Sequence, residues 1–106
     1  MNNISIVIPI FNEDKNISLL VEEIMSINEI DKIRELVLVD DKSTDNTKHI
    51  ITNLENTNSM VSLFFHEKNF GQSKALYTGV KMAKSDIIIT LDADLQNNPK
   101  DISKLF

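Results

Sequence analysis

Two aspartates one residue apart, Asp92 and Asp94, close the apolar run in "ITLDADLQNNP" (89–99). In extended backbone, residues i and i+2 project to the same side, so the two carboxylates can converge, while small Ala93 lets a ligand approach closely. Two carboxylates that near repel unless a cation sits between them. The hard divalent cations Mg²⁺ and Mn²⁺ take oxygen ligands and keep coordination positions for substrate phosphates. Gln96, two residues further on, offers an amide oxygen in the same direction. Asp92, Asp94 and Gln96 thus form a candidate metal and diphosphate site. An isolated Asp-x-Asp also reads as a strand-end turn at Asp92 and a loop cap at Asp94, and spacing alone leaves both open.

Placing such a pair falls to the elements around it. "ISIVIPI" (4–10), "RELVLVD" (34–40), "MVSLFFH" (60–66) and "SDIIITL" (85–91) are short, rich in Val and Ile, and apolar at nearly every position. Strands covered on both faces look like this. Between them the apolar residues take helical spacing: Ile17, Leu20, Val21 and Ile24; then Ile50, Ile51 and Leu54; then Ala75, Leu76, Gly79, Val80 and Ala83. Asn12 or Asp14, then Asp45, then Asn98-Pro99 supply helix-start signals. The chain is a series of βα units with no linker, low-complexity segment or internal repeat, which predicts a parallel sheet with right-handed crossovers and helices on both faces.

In sheets of this kind ligands bind beyond the carboxyl ends of the strands, where the strand order reverses. In the expected order 3-2-1-4 that point lies between the first and fourth strands. Asn12 and Glu13 then face Asp92 and Asp94, with Asp41 one strand away. Gly79, between Leu76 and Val80, is expected to let its helix lie close on the sheet. The apolar, proline-free edge "DIIITL" (86–91) is expected to pair with a second chain.

Composition narrows the ligand. At 106 residues, 42% hydrophobic and 25% charged, the chain is one globular domain or part of one. The absence of cysteine excludes disulfides and thiolate metal sites, and suits a reducing cytoplasm. Apolar runs stop well short of the roughly 20 residues that cross a bilayer, and Met1 is followed by Asn-Asn rather than a basic and apolar leader, so a soluble, cytoplasmic chain is expected. A net charge of −5 with scattered Lys and Arg argues against a nucleic-acid groove. An anionic ligand would need a metal.

"SIVIPIFNEDKNISLLVEEI", "LVLVDDKSTDNTKHII" and "KNFGQSKALYTGVKMAKSDIIITLDADLQNNP", in this order and at these separations, resemble the family 2 glycosyltransferases. The likeness runs from Ser5 to Pro99 and is strongest to the polyprenyl-phosphate sugar transferases of the dolichol-phosphate mannose synthase type, whose mark is the "DADLQNNP" extension. The resemblance implies the nucleotide-sugar-binding, N-terminal half of a GT-A domain over residues 1–106. It also implies an inverting transfer of sugar from a UDP- or GDP-linked donor to a lipid phosphate or glycan, with Mg²⁺ or Mn²⁺. Carried over residue by residue, it puts Pro9, Phe11, Asn12 and Glu13 along the nucleotide, Asp41 on the base, Asp92 and Asp94 on the metal with Gln96 assisting, and Ala93 beside the ligand. Any catalytic base is expected beyond Phe106, so these residues alone are not expected to transfer sugar. A longer protein is expected to work at the cytoplasmic face of the membrane.

Other residues have plainer readings beside the functional ones. Asp40, Ser43, Asp45 and Thr47 fit the family pattern, yet turns and a helix cap account for all of them. Lys74 stands at a helix start from which it could reach a diphosphate, or could simply be solvated; "NFGQSK" lacks P-loop spacing. His49 and His66 have no partner at metal-ligand spacing and read as surface or strand-end residues. Two rivals of other classes remain. A noncatalytic nucleotide-binding module would share every motif. A phosphoacceptor receiver domain fails on order, because its acidic pair would follow the first strand rather than the second.

Overall fold

The structure, a computed structural model, describes residues 3–94 and 104. Strand β1 (Ile4–Ile10) is buried at every position, as a central strand must be. It pairs in parallel with β2 (Ile33–Asp40) on one side and β4 (Ile87–Thr90) on the other, while β3 (Val61–Phe65) extends the sheet beyond β2. The order is therefore β3-β2-β1-β4, as expected. A receiver-type order would set β3 beside β1, and β4 occupies that place instead. The two outer strands are only partly covered, and Ile87 on β4 is 47% exposed.

Alternation along β1 divides the core into two layers. Ile4, Ile6, Ile8 and Ile10 join a large cluster with Leu20 and Ile24 of α1 (Ile17–Met25) and Ile51 of α2 (Thr47–Thr57). Val7, on the opposite face, packs with Val37, Val39 and Ala75 of α3 (Gln72–Met82). The apolar stripe read for α1 is the set of residues it buries. In α3 only Ala75 and Gly79 are buried, and Val80 is 43% exposed, so its inward stripe is narrower than the sequence suggests. The expected closeness at Gly79 is plain: a Cβ placed there would lie 2.3 Å from Val7 Cγ1.

Element ends depart from the reading in three ways. The N-cap of α1 is Asn16, not Asn12 or Asp14, because both of those residues are taken up by contacts with the loop after β2. A short 3₁₀ helix, Asn28–Lys32, precedes β2; its sequence carries no apolar periodicity that could announce it. β4 ends at Thr90, and Ala93 and Asp94 lie in a turn. The expected helix start at Asn98-Pro99 lies outside the described residues.

Candidate functional site

Beyond the carboxyl ends of β1 and β4 lies an open cleft of about 190 Å³. Pro9, Ile10, Phe11 and Glu13 line it from the end of β1, and Gln72 and Ala75 from α3. Asp41 enters from the end of β2, and Asp92, Ala93 and Asp94 from the segment after β4. Ligand pockets commonly measure about 300–1,000 Å³. A cleft this small is part of a ligand site of ordinary size, not the whole of one.

Asp41 is 3% exposed, and its carboxylate accepts three hydrogen bonds from the described residues. Its Oδ1 accepts hydrogen bonds from His66 Nδ1 at 2.8 Å and the Phe70 backbone N–H at 2.9 Å; its Oδ2 accepts one from the Gly71 N–H at 2.8 Å. Burial by itself raises the pKa of this carboxyl, but the bonds from His66, Phe70 and Gly71 outweigh it and hold the group below its ordinary value. Asp41 is therefore ionised at neutral pH. Its own N–H bonds to Ile10 O at 2.8 Å, which ties the ends of β1 and β2 together beneath the cleft. Gly71 has φ +97°, a left-handed backbone that suits glycine, and so turns its N–H toward Asp41 as the chain enters α3.

The loops after β1 and β2 brace one another. Asn12, at φ 54°, donates its backbone N–H to Ser43 Oγ at 2.9 Å and accepts from the Thr44 N–H at 2.7 Å through its side-chain oxygen. Asp40 accepts from the hydroxyl of Ser43 at 2.5 Å and from its N–H at 3.1 Å. Asp45, one residue before the N-cap Asn46 of α2, accepts from the Thr47 N–H at 2.9 Å, and Thr47 Oγ1 accepts from the Glu13 N–H at 2.9 Å. Asp40, Ser43, Asp45 and Thr47 thus stiffen the mouth of the cleft without lining it. Lys42, at φ 65°, holds a left-handed turn beside Asp41, a costly conformation for lysine that this bracing maintains.

Asp92 and Asp94 are both exposed to the cleft and flank buried Ala93. Both line the cleft, with Ala93 and Asp94 in a turn rather than in the extended backbone read from the sequence. Gln72 Nε2 donates to Asp92 Oδ1 at 3.0 Å. Among the described residues no group of three or more His, Cys, Asp or Glu side chains is gathered closely enough to hold a metal alone. Two adjacent carboxylates are nonetheless a donor set that fits Mg²⁺ or Mn²⁺, which characteristically take one or two protein carboxylates and complete their shell with water and substrate phosphates.

Of the residues named from the sequence, Pro9, Phe11, Glu13, Asp41, Asp92, Ala93 and Asp94 come together in the cleft. Asn12 and Lys74 do not. The Asn12 side chain faces the loop after β2, and Lys74 is exposed with its Nζ 5.0 Å from the Tyr77 ring centroid. Gln96 lies outside the described residues. Gln72 lines the cleft without having been named from the sequence, and Ala75, read only as part of the apolar stripe of its helix, lines it as well. His66 was placed correctly at a strand end, but its pairing with Asp41 was not foreseen.

A parallel α/β sheet with an acidic cleft at its switch point has the arrangement in which open α/β proteins bind their ligands. The model of the family described as glycosyl transferase family 2 matches residues 5–106, and the chain belongs to that family. It is 38% identical over 108 residues to the undecaprenyl-phosphate 4-deoxy-4-formamido-L-arabinose transferase of Proteus mirabilis, covering 99% of this chain and 33% of that protein. The protein of the same name from Pectobacterium carotovorum is 36% identical over 107 residues, again with 99% and 33% covered. The chain thus spans about a third of the length of these curated relatives.

Among solved structures, S. aureus TarS 1-349 in complex with UDP-GlcNAc superposes with a TM-score of 0.81 at 25% identity, over 97% of this chain and 30% of that one. The mannosyltransferase PcManGT of Pyrobaculum calidifontis, in complex with GDP-Man and Mn²⁺, gives 0.79 at 27% identity, over 87% of this chain and 27% of that one. The fold is the N-terminal part of a GT-A glycosyltransferase domain.

Proposed function

We propose that residues 1–106 are the nucleotide-sugar-binding part of an inverting glycosyltransferase that moves a sugar from a nucleoside diphosphate to a polyprenyl phosphate with the help of Mg²⁺ or Mn²⁺. The observation that carries this is the meeting of Asp92 and Asp94 with Asp41 in one cleft at the switch point of the sheet. An ionised carboxylate only accepts hydrogen bonds, so Asp41 suits a base N–H, as in uracil or guanine. Asp92 and Asp94 would hold the cation. When bound, that cation offsets the negative charge that grows on the departing diphosphate.

Similar structures hold UDP-GlcNAc, or GDP-Man with Mn²⁺, and the curated relatives bear undecaprenyl phosphate in their name. An acceptor phosphate is itself the attacking oxygen, so a strong general base is not required. Glu13, whose Oε1 accepts from Asn16 Nδ2 at 3.0 Å, is not assigned that role. No described helix is long and apolar enough to cross a membrane. Work at the cytoplasmic face of the membrane is part of the proposal, because a lipid phosphate is reached there by a domain of this kind.

The test is transfer by the full-length protein from UDP- and GDP-sugars to undecaprenyl phosphate in the presence of Mn²⁺. A glycolipid product is expected from one donor class, and Asp92→Ala or Asp94→Ala is expected to lower turnover by about 10²-fold or more, the size of effect seen when one transition-state charge stabiliser is lost. Nucleotide binding without transfer to any polyprenyl phosphate would instead indicate a noncatalytic module. Pairing of a second copy along the open edge of β4 belongs to the same proposal. Sedimentation of residues 1–106 alone at micromolar concentration is expected to show a dimer or soluble aggregate, because a longer chain would cover that edge, and a clean monomer would contradict it.

A further inference from the structure

We infer that His66 is a positioning residue for nucleotide recognition, fixing Asp41 so that a single acceptor position remains for the base. The inference rests on the proposed function and adds a residue that it does not assign.

An ionised carboxylate offers about two acceptor positions on each oxygen. On Asp41, Oδ1 is filled by His66 Nδ1 and the Phe70 N–H, and Oδ2 is half filled by the Gly71 N–H. Among the bonds of the described residues, the one vacancy on this cleft-lining carboxylate is therefore on Oδ2. A ligand N–H has one place to go and one direction from which to arrive. Loss of the His66 donor would open a second vacancy on Oδ1 and let the carboxylate rotate.

The histidine is built to prevent that rotation. Asp41 cannot donate, so Nδ1 must carry the hydrogen, and Nε2 meets Thr78 Oγ1 of α3 at 2.9 Å. Both ring nitrogens are thus engaged, one with Asp41 just beyond β2 and one with α3. The His66 backbone N–H bonds to Asp40 O at 2.8 Å, continuing the β2–β3 ladder. Phe64 and Phe70 stand edge-on to the ring at centroid distances of 6.3 and 5.3 Å and set its plane. At 8% exposed, the imidazole is screened from water that could substitute for its bond to Asp41.

The test compares binding of UDP, GDP and inorganic pyrophosphate, each with Mn²⁺, by calorimetry on the full-length protein. Pyrophosphate has no base, so the gain in affinity of a nucleotide over it isolates base recognition. His66→Leu removes the donor, and that gain is expected to fall about tenfold, as for loss of a hydrogen bond to a charged group, with pyrophosphate affinity unchanged. His66→Asn puts an amide N–H near the position of Nδ1 and should restore most of the gain. Thr78→Val, which frees the far side of the ring, should give a smaller loss in the same ratio, and it carries the test if the leucine variant does not fold.

An unaltered gain in the leucine or valine variant would overturn the inference. So would an equal loss of nucleotide and pyrophosphate, which marks a general structural role. A wild-type protein that binds both nucleotides no better than pyrophosphate would overturn it while leaving the metal and diphosphate site standing. Failure to bind any of the three would overturn both.

Discussion

Gly79→Ala is expected to destabilise the protein by about 2 kcal/mol, although alanine is the better helix former by about 1 kcal/mol. The added methyl would meet Val7 Cγ1 at 2.3 Å and Val39 Cγ2 at 3.2 Å. Neither valine can move away, since both are fully buried and belong to the two central strands. Helix α3 must lift, and it packs through a narrow strip that includes Ala75, so a small shift costs much of its contact with the sheet. Overpacking of this severity belongs near the top of the usual range, about 3 kcal/mol, and outweighs the propensity gain. Thermal melting should register a fall on the order of 10 °C for a domain of this size. Adding Val7→Ala, which deletes the methyl in the way, should recover part of the loss, and the coupling between the two sites is the specific signature. An unchanged or raised melting temperature in Gly79→Ala would show that α3 does not lie this close to β1.

The helix α1 and the strand β1 were legible because each carries one clean period: every residue of β1 is buried, and the stripe 17, 20, 21, 24 is the buried face of α1. The strand order was the one expected for alternating β and α units in an open parallel sheet, and it placed Asp41, Asp92 and Asp94 at one mouth. Of the two readings of Lys74, the structure shows the solvated one, for a geometric reason. It lies early in α3, but Tyr77 and Lys81 follow at i+3 and i+7, and the three share an exposed face away from the cleft, with both lysines stacked on the Tyr77 ring.

The Asp41–His66 pair spans 25 residues, and no local pattern announces it. A signal was present in the register. Asp40 pairs with Phe65 at the ends of two parallel strands, so the next residues, Asp41 and His66, emerge side by side. Reading strand ends in pairs, rather than each strand alone, would have found the contact. Gln72 was missed because its meeting with Asp92 depends on how steeply α3 rises from Gly71, a left-handed turn whose direction the sequence does not specify.

The central claim is that Asp92 and Asp94 hold a divalent cation against a diphosphate, and linkage makes it measurable. If the cation bridges carboxylates and phosphates, metal must strengthen nucleotide binding, and nucleotide must strengthen metal binding by the same factor. Asp94→Asn keeps the shape of the side chain and removes a ligand charge, so the coupling should shrink by much of the 1–3 kcal/mol typical of such linkages. Asp41→Asn should leave metal dependence in place while weakening binding of the matching base, because the two carboxylates address different parts of the ligand. The most direct measurement is a calorimetric titration of UDP and GDP into the full-length protein, with and without Mn²⁺, for the wild type and both variants. The expected result is a metal-dependent gain for one nucleotide that Asp94→Asn diminishes and Asp41→Asn preserves. Equal binding of both nucleotides with and without metal by the wild type would contradict the account and return Asp92 and Asp94 to the part of turn residues.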